Sequence, residues 1–561
     1  MSSDIILFFF SYILIIYSVI GYGLLACTLL KININQFNLG YFGLIGIFIL
    51  IIFSYTSHYF LPHNYVHNSI IFLIGFSSFI LFLRNINNIN EFYKINILFI
   101  FFFVSFLIYK NHDDFSYYHF PYTYYLTQNN LLVGIGNFNH GFRTPSSIFY
   151  LNSLFYLPYI KFYFFQIGAV MIMGFSSFIL LKKIDKKLKS KNYDKYFFLS
   201  LLSLLFVSIF FYRIAEHGTD RSAMILIFLL IIELYNFASK QNPQKLDTIK
   251  IIILLGLIIS FKSFYILYLV LIIPIIFNFF IKQKIKYFFL ILNNFFFYFF
   301  ILILFNILLI NFLNSGCLIY PVEFTCVDTL SWSIPLQEVS LMNDWYEQWA
   351  KAGANPNFRV ENPQIYIQGF NWFDRWFDEY FFNKVSDFLL GIFFMMLIVF
   401  LVFGKLKRIK FSISKIEIGF YFLLSLLFFE WIYNHPSLRY GGYVVICLLF
   451  FIPFSMFLSS TVQSKNFEIK TFSIIILALV IFLSRNVDRI VKENKKYQYN
   501  PFKKVTYNID NSNFRISKKM ENLLLKKIYC AEDSEICFKN EPILVKKENK
   551  YFIFYKKKSK Q

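Results

Sequence analysis

Charged residues are scarce in this sequence. Only 15% of its 561 residues are Asp, Glu, Lys or Arg, against about 25% in an ordinary globular protein, and 57% are hydrophobic. This shortage excludes a chain of several soluble domains, because too little charge is available to cover their surfaces. The charges that are present lie in short clusters between long apolar runs, which is the pattern that a bilayer imposes. The runs are continuously apolar rather than alternating, which excludes a transmembrane β-barrel and leaves helices.

Acidic residues are the scarcer of the two charged classes. There are 32 of them against 54 Lys and Arg, which gives a net charge of +22. Such an excess can indicate nucleic-acid binding, but the sequence has no basic motif with interleaved aromatic residues. The basic residues lie mostly in short loops between apolar runs, where they set the orientation of a membrane protein. We therefore predict a lipid bilayer as partner and no nucleic acid.

Apolar runs of membrane length predict an all-α integral membrane protein. Residues 1–484 form the predicted polytopic domain, with about 13 or 14 transmembrane helices and with interfacial helices in its external loops. The run 251–281 is interrupted near Lys262, so we predict a tight hairpin of two short helices there, with one tilted span as the alternative. Residues 146–160 are predicted to form a re-entrant or interfacial helix. Residues 485–561 are predicted to be a small soluble C-terminal region.

The orientation of the chain follows from the positions of Lys and Arg. Alternate loops on one side hold about 23 of these residues and those on the other side about 10, and the richer side is predicted to be cytoplasmic. This places the loops 110–161 and 314–384 outside, together with the C-terminal region from residue 485. We expect a multi-pass protein of the bacterial inner membrane.

Cysteine is rare, with six residues in the chain, and two of them fall inside apolar runs. The other four form two closely spaced pairs, Cys317/Cys326 and Cys530/Cys537, in segments predicted to be external. An oxidising compartment favours a short-loop disulfide in each pair. The alternatives are free thiols or a zinc site, although no nearby histidine completes a set of metal ligands.

The strongest candidate for a functional site follows the fourth apolar run. Asp113 and Asp114 are adjacent there, His119 follows closely, and His140 and Arg143 lie on the same predicted external loop. A carboxylate at a membrane boundary can act as a general base on an acceptor hydroxyl, or can hold a divalent cation such as Mg²⁺ or Mn²⁺. The alternative is that the two aspartates only cap the next helix. We predict Asp113 and Asp114 as catalytic residues and as the ligands of a cation, if one binds.

Three further charged residues lie at the same predicted face. Asp220 belongs to a short loop between two spans, where a charge is also allowed without any function. Lys262 and Arg439 are cations within or beside the outer leaflet, where burial is costly unless an anionic partner is present. A lipid-linked phosphate would be such a partner. The alternative for both cations is that they extend toward the lipid head groups.

The loop 314–384 holds five of the six tryptophans. Sugar rings pack on indole faces, so this cluster would suit glycan binding, but tryptophans also collect in interfacial belts and in the cores of small lobes. Residues 370–381 place their aromatic side chains on one helical face. We therefore predict an in-plane amphipathic helix there and favour the interfacial belt over glycan binding.

Four short motifs, in this order, resemble landmarks of the GT-C superfamily of membrane glycosyltransferases and of a group of bacterial membrane proteins that are treated as glycosyltransferase-like. They are Asp-Asp-Phe-Ser-Tyr-Tyr-His-Phe-Pro at 113–121, Gly141 with Ser146 and Ser147, Ser-Gly-Cys-Leu-Ile-Tyr-Pro at 315–321 and His-Pro-Ser-Leu-Arg-Tyr-Gly-Gly at 435–442. The resemblance covers most of the membrane region but not the C-terminal region, and three spans precede the usual first one. It implies a polyprenyl-phosphate-linked sugar as donor and an aspartate as base or metal ligand.

These observations lead to one preferred function and two alternatives. The preferred function is an inverting glycosyltransferase that moves a sugar from a polyprenyl phosphate to a glycan, lipid or protein acceptor at the outer face. The alternatives are a lipid-linked glycan transporter or flippase, and a non-catalytic membrane assembly protein. A transporter usually has ionisable residues near the midplane and repeat symmetry, and neither is visible in the sequence. The candidate substrate-binding residues are His119, His140, Arg143, Asp220, Lys262, His435, Arg439 and Tyr440.

Overall fold

The computed structural model describes residues 3–83, 89–109, 112, 114–216, 218–240, 243–281, 289, 291–355, 357–404, 414–461, 466–503, 543–549 and 551–556. Among the predicted functional residues, Asp113, Cys530 and Cys537 lie outside this described part of the chain.

Helices make up most of the described structure, which confirms the all-α membrane class. The α-helices are α1 (Ser3–Leu29), α2 (Leu39–His58), α3 (Tyr65–Leu83), α4 (Ile89–Phe106), α5 (Phe120–Gln128), α6 (Ser147–Ser153), α7 (Ile167–Lys189), α8 (Lys195–Phe210), α9 (Gly218–Ser239), α10 (Lys245–Phe261), α11 (Ile273–Ile281), α12 (Phe295–Ser315), α13 (Leu336–Lys351), α14 (Pro363–Ile367), α15 (Phe373–Trp376), α16 (Ser386–Phe403), α17 (Lys415–Asn434), α18 (Tyr443–Thr461) and α19 (Phe467–Tyr497). Ten described helices are long and apolar enough to cross a bilayer, and shorter apolar helices accompany them. The larger number predicted from the sequence included such shorter runs.

The core of the bundle is formed by α2, α7 and α9, whose residues are mostly buried by other helices. Glycine permits close contacts between helices. A Cβ atom at Gly23 of α1 would lie 1.9 Å from the carbonyl oxygen of Phe42 in α2, so these two helices pack backbone against backbone. By contrast, only about a third or less of the residues in α3, α12 and α17 are buried by the rest of the protein, which is the arrangement of helices that face lipid.

The interruption at Lys262 is present as the sequence predicted. The helix α10 ends at Phe261, and Lys262 has extended backbone angles (φ −158°, ψ 125°). A 3₁₀-helical stretch (Ser263–Ile272) packs beside α10 and then continues as α11. The break places the Lys262 ammonium at the end of a helix rather than in the middle of a span.

Two expectations about helices in the loops need correction. The helix within 146–160 is the seven-residue α6, which is buried against α2, α5 and α7; this contradicts an interfacial helix, whereas the re-entrant alternative stays a prediction. The predicted in-plane helix at 370–381 does not end there, because α15 continues through a π-helical stretch (Phe377–Val385) into α16 as one candidate span. Its Trp372 and Trp376 are buried inside the protein, so the belt interpretation is wrong for these two residues.

The loop lobe consists of the described parts of residues 107–165, 316–385 and 543–556. Its hairpin has two antiparallel strands, β1 (Ile543–Glu548) and β2 (Tyr551–Lys556). A parallel bridge joins Ile553 of β2 to Val133, and Phe554 is completely buried. The C-terminal hairpin therefore lies on the same face as the loop that follows α5. The predicted boundary at residue 484 falls inside α19, which carries the chain out to Tyr497.

The cysteines agree with the sequence-based prediction where they are described. Cys317 and Cys326 form a disulfide just beyond the end of α12. Cys27 and Cys447 are buried free thiols within helices. The second predicted pair, Cys530 and Cys537, lies outside the described residues.

Candidate functional site

Four charged residues from four different segments meet where the spans join the loop lobe. The Arg439 guanidinium donates from Nη2 to Asp114 Oδ2 at 2.8 Å and from Nε to Asp220 Oδ2 at 3.1 Å. The Lys262 ammonium donates to the other oxygen of Asp220, with Nζ to Oδ1 at 2.5 Å. Two carboxylates and two cations thus form one continuous charge network.

Helix ends supply the members of the charge network. Asp114 immediately precedes a π-helical turn (Phe115–His119), and its side chain makes no capping hydrogen bond, which disfavours the interpretation of this residue as a simple helix cap. Asp220 lies in the first turn of α9, and Lys262 lies at the break after α10. Spans that begin and end at one membrane boundary bring such residues together even when they are far apart in the sequence.

Arg439 lies in a turn between α17 and α18 that buried aromatic residues hold in place. The indole Nε1 of Trp376 donates to the Pro436 carbonyl oxygen at 2.6 Å, and that of Trp431 donates to the Ser437 carbonyl oxygen at 2.8 Å. The backbone changes direction at Gly441, whose φ of 90° favours glycine. The guanidinium is therefore presented from a fixed backbone rather than from a mobile loop.

Aromatic rings cover the two cations of the charge network. The Lys262 ammonium lies 4.1 Å from the centroid of the Tyr440 ring, and the Arg439 guanidinium lies 5.4 Å from the Trp349 ring. Trp349 belongs to α13 and contacts Tyr440 edge to face at 5.7 Å. The helix α13 thus lies across the network and leaves it partly open, with the four charged side chains between 10% and 29% exposed.

The electrostatics of Asp114 are dominated by its cationic neighbour. Burial alone would raise the pKa of the Asp114 carboxyl, but the facing Arg439 guanidinium, with His112 and His119, lowers this pKa to about 2. The His112 ring nitrogen Nδ1 also lies 3.4 Å from Asp114 Oδ2. Asp114 is therefore fully ionised at neutral pH, and as long as Arg439 holds it, its carboxylate is a weak base.

His119 is buried beside the charge network. Burial lowers the pKa of His119 to about 4, so the imidazole is neutral. Its Nε2 has no hydrogen-bond partner among the described residues, and the ring packs on Phe149 at 4.8 Å. A neutral histidine with an unused nitrogen at this position is suited to a hydrogen bond with a ligand.

Arg143, a predicted substrate-binding residue, belongs to a different network. Its side chain is only 4% exposed, and it donates to Tyr320 Oη, Glu338 and the Gly136 carbonyl oxygen. Glu338 also accepts from Lys556 of β2, with Nζ to Oε2 at 2.8 Å. This second network ties the loop after α5, the helix α13 and the hairpin together, so its evident role is to hold the loop lobe.

The two remaining predicted histidines lie at the edge of the site. His140 Nδ1 is 3.2 Å from Tyr346 Oη, and its ring packs beside Tyr117 and Trp345. His435 lies 3.6 Å from Glu430, and its ring contacts that of Tyr440. Both are neighbours of the charge network rather than members of it.

The structure therefore brings together Asp114, Asp220, Lys262, Arg439 and Tyr440, places His119, His140 and His435 around them, and assigns Arg143 to the lobe. Sequence reasoning overlooked Trp349, which covers Arg439, because a tryptophan in an external loop has several common roles. It also overlooked Glu338 and Lys556, since neither lies in a recognisable motif.

A divalent cation does not fit the charge network as it stands. Asp113, one of the two predicted ligands, lies outside the described part of the chain. Asp114 and Asp220 are already neutralised by Arg439 and Lys262. The described residues also include no group of three His, Cys, Asp or Glu side chains placed to hold a metal ion.

Comparison with known proteins gives one match. The family described as Domain of unknown function (DUF8201) matches residues 5–447, which include every member of the charge network. No curated protein and no solved structure matches the chain.

Proposed function

We propose that this chain, which belongs to the DUF8201 family, is a glycosyltransferase of the bacterial inner membrane that uses a polyprenyl-phosphate-linked sugar. The observation that carries the proposal is the charge network. It combines a carboxylate that can accept a proton with two cations that can bind a phosphate, at the boundary where a lipid-linked donor and a water-soluble acceptor would meet. The resemblance of the surrounding motifs to GT-C enzymes supports the same activity.

The reaction assigns a task to three of the four charges, and Asp220 holds the two cations in place. The acceptor hydroxyl gives its proton to the Asp114 carboxylate as its oxygen forms a bond with the anomeric carbon of the donor sugar. The bond between that carbon and the phosphate oxygen breaks, and the electron pair leaves with the polyprenyl phosphate. Arg439 and Lys262 stabilise the charge on this leaving group. Attack from the side opposite the phosphate inverts the anomeric centre.

An apolar crevice among the spans that carry Asp220 and Lys262 offers space for the isoprenoid chain, and its lining extends away from the network as far as Leu234 and Thr248. It lies between α9, α10, α11 and α12, and its lining includes Leu255, Leu269 and Phe300. Leu255 precedes Lys262 by seven residues along α10, which at 1.5 Å per residue is about 10 Å. A polyprenyl chain whose phosphate lies at Lys262 would reach this crevice without leaving the membrane.

The transporter alternative has less support from the geometry. The charge network lies at the ends of helices, whereas a transporter binds its substrate near the midplane with discontinuous helices. An assembly protein would not require two cations and two carboxylates in contact with one another and partly open to solvent. A glycosyltransferase accounts both for the position of the charge network at the helix ends and for its partial exposure to solvent.

Substitution of Asp114 by asparagine tests the proposal. The change keeps the size and polarity of the side chain but removes the proton acceptor, so sugar transfer should fall by about 10²–10⁴-fold. If Asp114 were only a cap, asparagine would replace it with almost no effect. The assay is transfer of radiolabelled sugar from a polyprenyl-phosphate donor in membranes that contain equal amounts of each variant.

Asp344→Asn is the matched control, because Asp344 lies on α13 of the same lobe and contacts Gln364 rather than the charge network. It should transfer sugar at the wild-type rate. A wild-type rate in Asp114→Asn would remove this carboxylate from the mechanism.

A further inference from the structure

We propose that the donor phosphate and Asp114 compete for the Arg439 guanidinium, so that donor binding releases Asp114 and makes it available as a base. This inference rests on the proposed function and concerns the regulation of the same site. It gives the enzyme an order of binding, with the lipid-linked donor first and the acceptor second.

The two carboxylates of the charge network are held unequally. Asp220 contacts both cations, Arg439 through Oδ2 and Lys262 through Oδ1. Among the Lys and Arg side chains in the described residues, Asp114 contacts only Arg439; the His112 ring lies 3.4 Å away, and His119 is also nearby. If Arg439 turns toward an incoming anion, Asp220 keeps Lys262, whereas Asp114 loses its one strong partner.

The charge balance makes such a rearrangement necessary. Two carboxylates already neutralise two cations, so the network has no excess positive charge to offer a phosphate. A phosphate that binds Arg439 meets the Asp114 carboxylate, whose oxygen lies only 2.8 Å from the guanidinium nitrogen. Two anions in contact repel one another, and the less firmly held anion, Asp114, is the one that yields.

The release of Asp114 would convert a weak base into a stronger one. A carboxylate that accepts hydrogen bonds from a guanidinium is stabilised in its ionised form and holds protons poorly. Once the guanidinium faces the phosphate, this stabilisation is lost and the carboxylate becomes a better acceptor for the proton of an acceptor hydroxyl. Before the donor binds, the same carboxylate has little tendency to take a proton from water or from an acceptor.

The geometry allows Arg439 to contact either Asp114 or a bound phosphate. The Arg439 side chain is 29% exposed and that of Asp114 is 25% exposed, so an anion can reach the contact between them. The turn that carries Arg439 is fixed by Trp376 and Trp431, so the side chain can change partner without a movement of the backbone.

Competition predicts that removal of the Asp114 charge tightens binding of the phosphate. The probe is farnesyl phosphate, titrated into the full-length protein in detergent and followed by calorimetry, with inorganic phosphate as a second probe for the head group alone. Asp114→Asn and Asp114→Ala should each bind farnesyl phosphate about tenfold more tightly than the wild type, because the competitor for the charge-assisted hydrogen bond is gone. Inorganic phosphate should bind more weakly but show the same ratio, since the competition involves only the head group.

Glu430→Gln serves as the matched control for general electrostatics. It also removes one negative charge close to the site, but Glu430 contacts His435 and Asn434 rather than Arg439. Its affinity for farnesyl phosphate should change by less than about twofold, because partly exposed charges that are not in contact interact weakly.

The possible outcomes separate the inference from the proposed function. Equal or weaker binding by both Asp114 variants, or equal tightening in Glu430→Gln, would overturn the competition and leave the proposed donor intact. If farnesyl phosphate fails to bind the wild type, or if Arg439→Met leaves its affinity unchanged, the donor assigned to this site is wrong and the inference is refuted with it. Gel filtration of each variant confirms that it is folded before the titration.

Discussion

Replacement of Glu338 by glutamine should loosen the loop lobe, because it removes the carboxylate that neutralises a buried arginine. Arg143 has a side chain only 4% exposed, and Glu338 is its carboxylate partner among the described residues. Glu338 also holds Lys556 of β2, so the loss of one charge affects the contacts of both α13 and the hairpin. Lys556→Met is the matched comparison, because it breaks only the contact between Glu338 and the hairpin.

The two substitutions should differ in size. Removal of one partner from a fully buried ion pair costs about 3–5 kcal/mol. Glu338 is 32% exposed and Arg143 keeps Tyr320 and the Gly136 carbonyl oxygen, so we expect about 2 kcal/mol for Glu338→Gln. Lys556 is 34% exposed, and an exposed pair of this kind contributes about 0.2–1 kcal/mol.

Hydrogen exchange in nanodiscs measures these energies locally, without unfolding the membrane domain. The amides to follow are those that join the hairpin to the loop: the Val133 N–H, which donates to the Phe552 carbonyl oxygen, and the Phe554 N–H, which donates to the Val133 carbonyl oxygen. A loss of about 2 kcal/mol corresponds to about thirtyfold faster exchange, and a loss of about 0.2–1 kcal/mol to no more than about fivefold. Peptides from α2 should exchange at the wild-type rate in both variants.

Low pH should reproduce the effect of Glu338→Gln in the wild type. Burial would raise the pKa of Glu338, but Lys556 and Arg143 together lower it in the folded protein. A lowered folded pKa means that this stabilisation is complete above the unfolded value of about 4.3 and is lost as the pH falls through the folded pKa. If Lys556→Met accelerates exchange as much as Glu338→Gln, or if neither does, the reasoning about the buried Arg143 charge is wrong.

Two further predictions follow from the site and from the orientation of the chain. Trp376→Phe removes the hydrogen bond that fixes the turn at Pro436, so farnesyl phosphate should bind about three- to tenfold more weakly. Trp332→Phe is the control, because it removes a similar hydrogen bond to the Phe312 carbonyl oxygen; the affinity should stay unchanged. Equal effects of the two tryptophan variants would contradict the positioning of Arg439 by Trp376. A topology reporter inserted after residue 190 or 408 should be cytoplasmic, and a reporter inserted at 130, 350 or 520 should be external. A cytoplasmic result at 350 would overturn the predicted orientation and the enzyme hypothesis with it.

The convergence of the charge network could be anticipated from the sequence because all four residues lie at span ends of the same predicted face. Asp114, Asp220, Lys262 and Arg439 are separated by up to 325 residues, yet a bilayer brings every span end to one of two planes. The interruption at Lys262 was predictable for the same reason, since a charge in a long apolar run marks a helix end more often than a buried position.

The contacts that hold the charge network and the loop lobe in place could not be predicted from the positions of span ends. Trp376 follows an amphipathic pattern that is typical of an interfacial helix, but it is buried in the core, where Pro436, 60 residues later, accepts its hydrogen bond. Arg143 was predicted to bind substrate because its partner Glu338, 195 residues away, could not be identified from the sequence. Local periodicity carries no information on such pairings between distant segments, which depend on how loops fold over one another.

The docked hairpin has a consequence for biosynthesis. Asn137 donates to the Phe554 carbonyl oxygen across 417 residues, so the ribosome adds the residues that complete the loop lobe long after the loop that receives them. At about 5–20 residues per second, this interval lasts about 20–80 s. During that time Val133 lacks its β-bridge partner Ile553, and Glu338 lacks its contact with Lys556 even after α13 has been synthesised. The lobe therefore stays open on each nascent chain until the hairpin has been synthesised and has docked.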